Sequence, residues 1–223
     1  MKIDLTEIYK GLAEWRAERG ITAESQKEGY LVNIMEEFGE LAQALRCYEK
    51  IKNGERALRA GTFDIKSTLG EMIIFEGTTK GKIEITLEKA EYEIIDALCD
   101  ISVFTINAWA DMPCEFKRTE IEWEKSSLNA DYILKQMVEK CARFSYFEWG
   151  EASAFNIILI NCAYLCEHYG FNFQIAMLET IKEISSRTGS YDETSKKWVK
   201  DTSDEAKAKW YKANYELARI AQC

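Results

Sequence analysis

The residues with the clearest chemical potential are carboxylates in two short clusters. One is Glu36-Glu37-Phe38-Gly39-Glu40; the other is Glu93-Ile94-Ile95-Asp96, continued by Asp100. In a helix, side chains three and four residues apart project from one face, so each cluster makes a row of acids. Two such rows facing each other would bring four or five carboxylates into a small volume. They repel unless a cation joins them, and an all-oxygen donor set suits Mg²⁺ or Mn²⁺.

The second row lies in a run too apolar for a solvated helix. Asp96 and Asp100 are bracketed by Ile94, Ile95, Leu98, Ile101, Val103 and Phe104. Burying carboxylates there without partners would cost several kcal/mol each, and no Lys or Arg stands close by in sequence. Other metal chemistries fit poorly. Di-iron bundles need Glu-x-x-His pairs, whereas the sole histidine, His168, is far from both clusters and reads as a surface or helix-end residue. No Cys or His spacing suits structural zinc.

The elements that would carry these acids are helical. A first helix is expected over about 4–18, from Leu5, Ile8, Leu12 and Trp15, with Gly20 as its stop. Ser25 is a candidate cap for a long second helix from Gln26 to about Lys52, whose stripe is Tyr30, Leu31, Ile34, Phe38, Leu41 and Leu45. A third helix over about 87–110 is apolar on more than one face and should be central. Further helices are expected over 130–147, 152–169 and 173–185, followed by a polar tail from Ser186. The segment from Gly61 to Thr86 breaks the pattern and suggests a small β-hairpin or an irregular insertion. One proline in 223 residues leaves little to interrupt helices. The expected fold class is all-α, a multi-helix bundle of about five or six helices in one domain spanning 1–223.

Charge and cysteine usage narrow the setting. A net charge of −9 argues against a nucleic-acid polymer as partner, yet leaves room for a small anion where metal and local cations invert the field. Seven cysteines, an odd number without a CxxC pair, read as reduced thiols, most of them within apolar helical patterns. No apolar run has membrane-spanning length and no signal-peptide core is evident, so a soluble, cytoplasmic protein is expected.

The run Glu36-Glu37-x-x-Glu40 followed by Glu93-x-x-Asp96 resembles the EExxE…ExxD signature of the all-α nucleoside triphosphate pyrophosphohydrolases. That superfamily includes MazG, the dimeric dUTPases and phosphoribosyl-ATP pyrophosphohydrolase. Residues 95–104 look like the second motif of MazG-like proteins. Glu183 to Gly189, Lys197 to Asp201 and Tyr211 to Tyr215 resemble their C-terminal tails. The likeness covers about 110 residues in pieces, with insertions at about 54–86 and 113–150. Two registers remain open, with Glu93/Asp96 or Asp96/Asp100 as the ligand pair.

The resemblance implies Mg²⁺-dependent hydrolysis between the α and β phosphates of a nucleoside triphosphate, with release of monophosphate and pyrophosphate in nucleotide-pool house-cleaning. It places Glu36, Glu37 and Glu40 in catalysis, and metal on Glu37, Glu40, Asp96 and Asp100, or on Glu93. Glu36, or whichever carboxylate is not fully committed to metal, becomes the candidate base for the attacking water. Arg187, Lys197 and Lys200 are candidates for contact with the leaving pyrophosphate, and Asn107 for phosphate or sugar. Trp15, Tyr30 and Asn33 border the expected site and could meet a base, although such residues are more often core. A homodimer or homotetramer is implied. The alternatives are phosphoribosyl-ATP hydrolysis and a non-catalytic helical oligomerisation module.

Overall fold

A computed structural model describes residues 2–69, 72–112, 118–122, 130–144, 152–192 and 197–221; side chains are described for all of these except 61–69, 72–79, 122, 131, 143–144, 152–153, 191 and 197. The order of elements is β1 (Lys2–Asp4), α1 (Thr6–Arg19), α2 (Ala23–Lys52), β2 (Leu58–Leu69), β3 (Met72–Glu84) and α3 (Leu87–Ala108). It continues with β4 (Glu120–Glu122), α4 (Ala130–Phe144), α5 (Ala152–His168), α6 (Phe173–Ser186), β5 (Gly189–Asp192), β6 (Lys197–Lys200) and α7 (Asp204–Lys207), and ends in a 3-10 turn at Tyr215–Ala218. The molecule is mostly helical; among the described residues there are three two-stranded antiparallel ladders, β1–β4, β2–β3 and β5–β6.

The two helices that carry the acids start on threonine caps. Thr22 Oγ1 accepts from the Ser25 backbone N–H, so Thr22 rather than Ser25 caps α2. Thr86 does the same for α3 through Lys89 N–H. On α2, Tyr30, Ile34, Phe38, Leu41, Ala44 and Cys47 are buried at three- and four-residue steps, leaving the opposite face in solvent. On α3, burial runs round the helix, from Ala90 through Ile94, Ile95, Leu98 and Ile101 to Ile106. It is the central helix, in contact with α1, α2, α5 and α6.

The pairing of α2 with α3 is antiparallel. At one end the hydroxyls of Tyr30 and Thr105 meet at 3.3 Å; at the other, Cys47 packs with Ala57, Ile85 and Ala90. This direction sets Glu37 opposite Asp100 and Glu40 opposite Asp96. Gly11 lets α1 approach α6 closely, since a Cβ there would stand 3.2 Å from Ile181 Cγ2.

Two expectations change in the β regions. The hairpin expected within 61–86 is longer and begins earlier: β2 and β3 pair from Leu58↔Glu84 to Leu69↔Met72, with a register shift at Ser67/Thr68. The segment after Ser186 folds as β5–β6, α7 and a final stretch laid against α6, rather than trailing as a polar tail. Much of the expected insertion at 113–150 lies outside the described residues. Its described parts are β4, which pairs with β1, and α4, which packs on α5.

The described cysteines Cys47, Cys99, Cys141, Cys162 and Cys166 are buried and free. Among the described residues, no helix is long and apolar enough to cross a membrane.

Candidate functional site

Between α2, α3 and the C-terminal segment, carboxylates from three helices face one another across a cleft. Glu40, Gln43, Arg59, Glu93 and Asp96 line its outer part, a cavity of about 300 Å³. Deeper along the helices stand Glu37 and Asp100. Glu37 is half-buried and its Oε2 has no hydrogen-bond partner. Burial, with repulsion from Glu40, Asp96 and Glu36, pushes its pKa up to about 7. Burial, then the charges of Asp96 and Glu37, drives Asp100 well above the usual carboxylate range.

Asp96 is raised as well, chiefly by burial, but one contact opposes the shift. The Tyr215 hydroxyl donates to Asp96 Oδ1 at 2.6 Å and favours its ionised form. The Tyr215 oxygen also lies 3.0 Å from Thr180 Oγ1 on α6, so the end of the chain is tied to the acid row.

The C-terminal segment supplies two cations. Arg187 follows α6 and donates to Glu183 Oε1 at 2.9 Å; its Nε is buried without a partner. Lys200 ends β6. Partial burial, with Arg187 as a like charge, lowers its pKa against the pull of Asp100, Glu37 and Glu183. The β5–β6 hairpin that holds Lys200 requires Gly189, where a Cβ would meet Val199 O at 2.2 Å.

The end of α6 is fixed by Arg19 of α1, buried between Trp15 and Trp198 at 5.4 and 5.1 Å from their ring centroids. Its Nη2 donates to the carbonyls of Ile184 (3.3 Å), Ser185 (2.9 Å) and Arg187 (3.2 Å). Arg19 thereby serves the carbonyls that end a helix leaves unpaired. It also sets the direction in which Arg187 leaves α6.

Of the residues singled out from sequence, Glu37, Glu40, Asp96, Asp100, Arg187 and Lys200 share this electrostatic environment. Glu36 is exposed beside Glu37. Glu93 reaches the cleft wall but is held by Arg59, with Nη1 to Oε1 at 3.0 Å and Nη2 to Oε2 at 2.8 Å. Asn107 stands apart: it is fully buried, and its Oδ1 accepts from Arg16 Nη1 of α1. The Lys197 side chain lies outside the described residues. Tyr30 belongs to the core; Trp15 donates from Nε1 to Ile184 O at 3.2 Å; Asn33 lies one turn before Glu37. His168 is exposed at the end of α5, stacked on Tyr164.

Tyr215, Glu183 and Arg59 were not singled out as site residues from sequence. Glu183 combines burial, which acts to raise its pKa, with the Ala213 N–H at 2.8 Å and Arg187, which together bring it below the usual value. No spacing signal ties residues 183 and 215 to an acid row more than 80 positions away; only the fold does.

The donor chemistry fits a hard divalent cation. The oxygens are all carboxylate, Glu37 Oε2 is buried and unpartnered, and Asp100 makes no hydrogen bond or ion pair among the described residues. No three His, Cys, Asp or Glu side chains stand as a ready ligand set among those residues. Like charges at this spacing repel, so closing on one point requires the cation itself. In comparison with known proteins, the chain matches no family model, no curated protein and no solved structure.

Proposed function

We propose that this protein is a Mg²⁺- or Mn²⁺-dependent nucleoside triphosphate pyrophosphohydrolase of the MazG-like kind, cleaving between the α and β phosphates. One observation carries the reading: Glu37, Glu40, Asp96 and Asp100 face a common cleft with Arg187 and Lys200 at one end, and the raised pKa values of Glu37, Asp96 and Asp100 signal uncompensated negative charge. Such a cleft suits a polyphosphate bound through divalent cations.

Glu37, Glu40, Asp96 and Asp100 would hold the metal. The ion pair with Arg59 favours the Asp96/Asp100 register over one using Glu93. When bound there, the metal neutralises phosphate charge and lowers the pKa of a water. Glu36, exposed and outside the buried set, would be the general base of the reaction. Arg187 and Lys200 would receive the charge that moves onto the leaving pyrophosphate. Tyr215 would orient Asp96 and favour its ionised form against the effect of burial. The chain would work as a homo-oligomer in the cytoplasm.

The test is a screen of ordinary and modified nucleoside triphosphates with Mg²⁺ or Mn²⁺, followed for pyrophosphate and monophosphate. Pyrophosphate release that disappears in Glu40→Ala and Asp100→Ala is the expected result. Orthophosphate as the product rejects α–β cleavage, and indifference to both substitutions rejects the site.

A further inference from the structure

Asp96 differs from Asp100 in having one oxygen already taken. Its Oδ1 accepts from the Tyr215 hydroxyl at 2.6 Å, while Oδ2 has no hydrogen-bond partner among the described residues. Tyr215 is buried against the core, and the backbone before it is pinned to α6. The Ala213 N–H donates to Glu183 Oε2 at 2.8 Å and the Asn214 N–H to Glu179 Oε2 at 3.1 Å. Glu179 is itself buried. The phenol therefore reaches Asp96 from a fixed position, as a group that orients a metal ligand must.

A tyrosine hydroxyl has a single hydrogen, and an ionised carboxylate can only accept. The hydrogen of Tyr215 is thus spent on Asp96, and in the 3.0 Å contact between Tyr215 and Thr180 the donor is Thr180 Oγ1. Thr180 is buried on α6, where its Oγ1 also lies 3.1 Å from Ala176 O, so its hydrogen is shared between that carbonyl and the phenol oxygen. The result is a directed chain from Thr180 to Tyr215 to Asp96, in which each donor strengthens the next. Its members come from α6, the 3-10 turn and α3.

We infer that Thr180 and Tyr215 are positioning residues that fix Asp96 as a one-oxygen ligand and thereby set which divalent cation the cleft favours. The assignment rests on the metal site proposed above. Mg²⁺ demands a near-octahedral shell of single oxygens, whereas Ca²⁺ takes a larger, looser shell and readily accepts both oxygens of one carboxylate. With Oδ1 held by Tyr215, Asp96 offers Oδ2 alone. Without that hydrogen bond both oxygens are available, and the site tolerates the larger ion.

Calorimetric titration of the metal-free chain with Mg²⁺ and, separately, with Ca²⁺ at pH 8 tests this without any nucleotide. Tyr215→Phe keeps the ring and removes the donor. Thr180→Val keeps the shape and removes the hydroxyl, and Thr180→Ser keeps the hydroxyl. In Tyr215→Phe the ratio of Mg²⁺ to Ca²⁺ affinity should fall about ten-fold, chiefly through weaker Mg²⁺ binding. Thr180→Val should move the ratio the same way by a smaller factor, on the order of two- to three-fold, and Thr180→Ser should match the wild type. Equal losses for both ions, or a ratio unchanged in either Tyr215→Phe or Thr180→Val, overturn the assignment, as does a Thr180→Ser chain that behaves like Thr180→Val. A wild type that binds Mg²⁺ yet hydrolyses no triphosphate sinks the pyrophosphohydrolase reading and leaves this assignment to the ratio. A wild type that binds neither ion overturns both.

Discussion

Asp100 sits one position before Ile101, a fully buried side chain of the core, and among the described residues no ion pair holds it, although the charge of Arg187 acts against its raised pKa. A carboxylate so placed opposes folding and persists where function needs its charge. Asp100→Asn should therefore separate the two roles. Pyrophosphate release should fall by two orders of magnitude or more, on the order of what loss of a metal ligand brings. In metal-free buffer at pH 8, the same change should stabilise the fold by about 1–2 kcal/mol in chemical denaturation. Glu37 adds a pH signature. Its folded-state pKa is raised to about 7 from the ordinary glutamate value of about 4.5. Between those values the folded chain keeps a proton that the unfolded chain has lost, so metal-free stability should decline as pH rises from about 4.5 to 7. Divalent cations displace that proton, so the gain in melting temperature on adding Mg²⁺ should be larger at pH 8 than at pH 5. Equal gains at both would contradict a metal held by Glu37.

At the scale of elements, the site depends on how α6 ends and how the chain returns to it. Arg19 links α1 to three carbonyls at the α6 terminus and lies between two tryptophans. Arg19→Ala leaves those carbonyls short of donors and should destabilise the fold by about 2–3 kcal/mol. The turnover number should drop more than Mg²⁺ affinity does, because Arg187 and Lys200 are displaced while the α2–α3 acids remain. Steady-state kinetics with a metal titration distinguishes this from general unfolding. Tyr215→Phe tests the other attachment. It removes the donor to Asp96, so Asp96 should hold its proton to higher pH. The pH at which Mg²⁺ begins to raise the melting temperature should move upward. A stability loss of about 1–2 kcal/mol should accompany it.

For the whole molecule, the outer face of α2 is unusual. Leu31, Val32 and Met35 are exposed at 38, 65 and 43 %, one turn before the acids Glu36 and Glu37. A self-associating chain would cover these side chains and bring a neighbour close to the cleft. Light scattering should then report about twice the 25.8 kDa chain mass or a higher multiple. Val32→Asp should shift the population toward monomer by placing a charge in an apolar contact. A wild-type monomer at micromolar concentration would remove the homo-oligomer from the proposal.

Much of this architecture was legible in the residues. The helices of α1, α2, α3, α5 and α6 follow apolar steps of three and four, with Thr, Asn and Gly at their ends, because local periodicity and capping are short-range properties. The meeting of two acidic rows was expected once they occupied two neighbouring helices, while the choice between Glu93/Asp96 and Asp96/Asp100 stayed open. Tertiary structure decided what depends on long-range closure. It paired Glu93 with Arg59, sequestered Asn107 against Arg16, and brought Tyr215, Arg187 and Lys200 to the acid row. It also turned 58–84 into a long hairpin whose base borders the cleft. Sequence spacing carries no record of such meetings, since they arise from the antiparallel α2–α3 pair and from the burial that draws the C-terminal segment back onto α6.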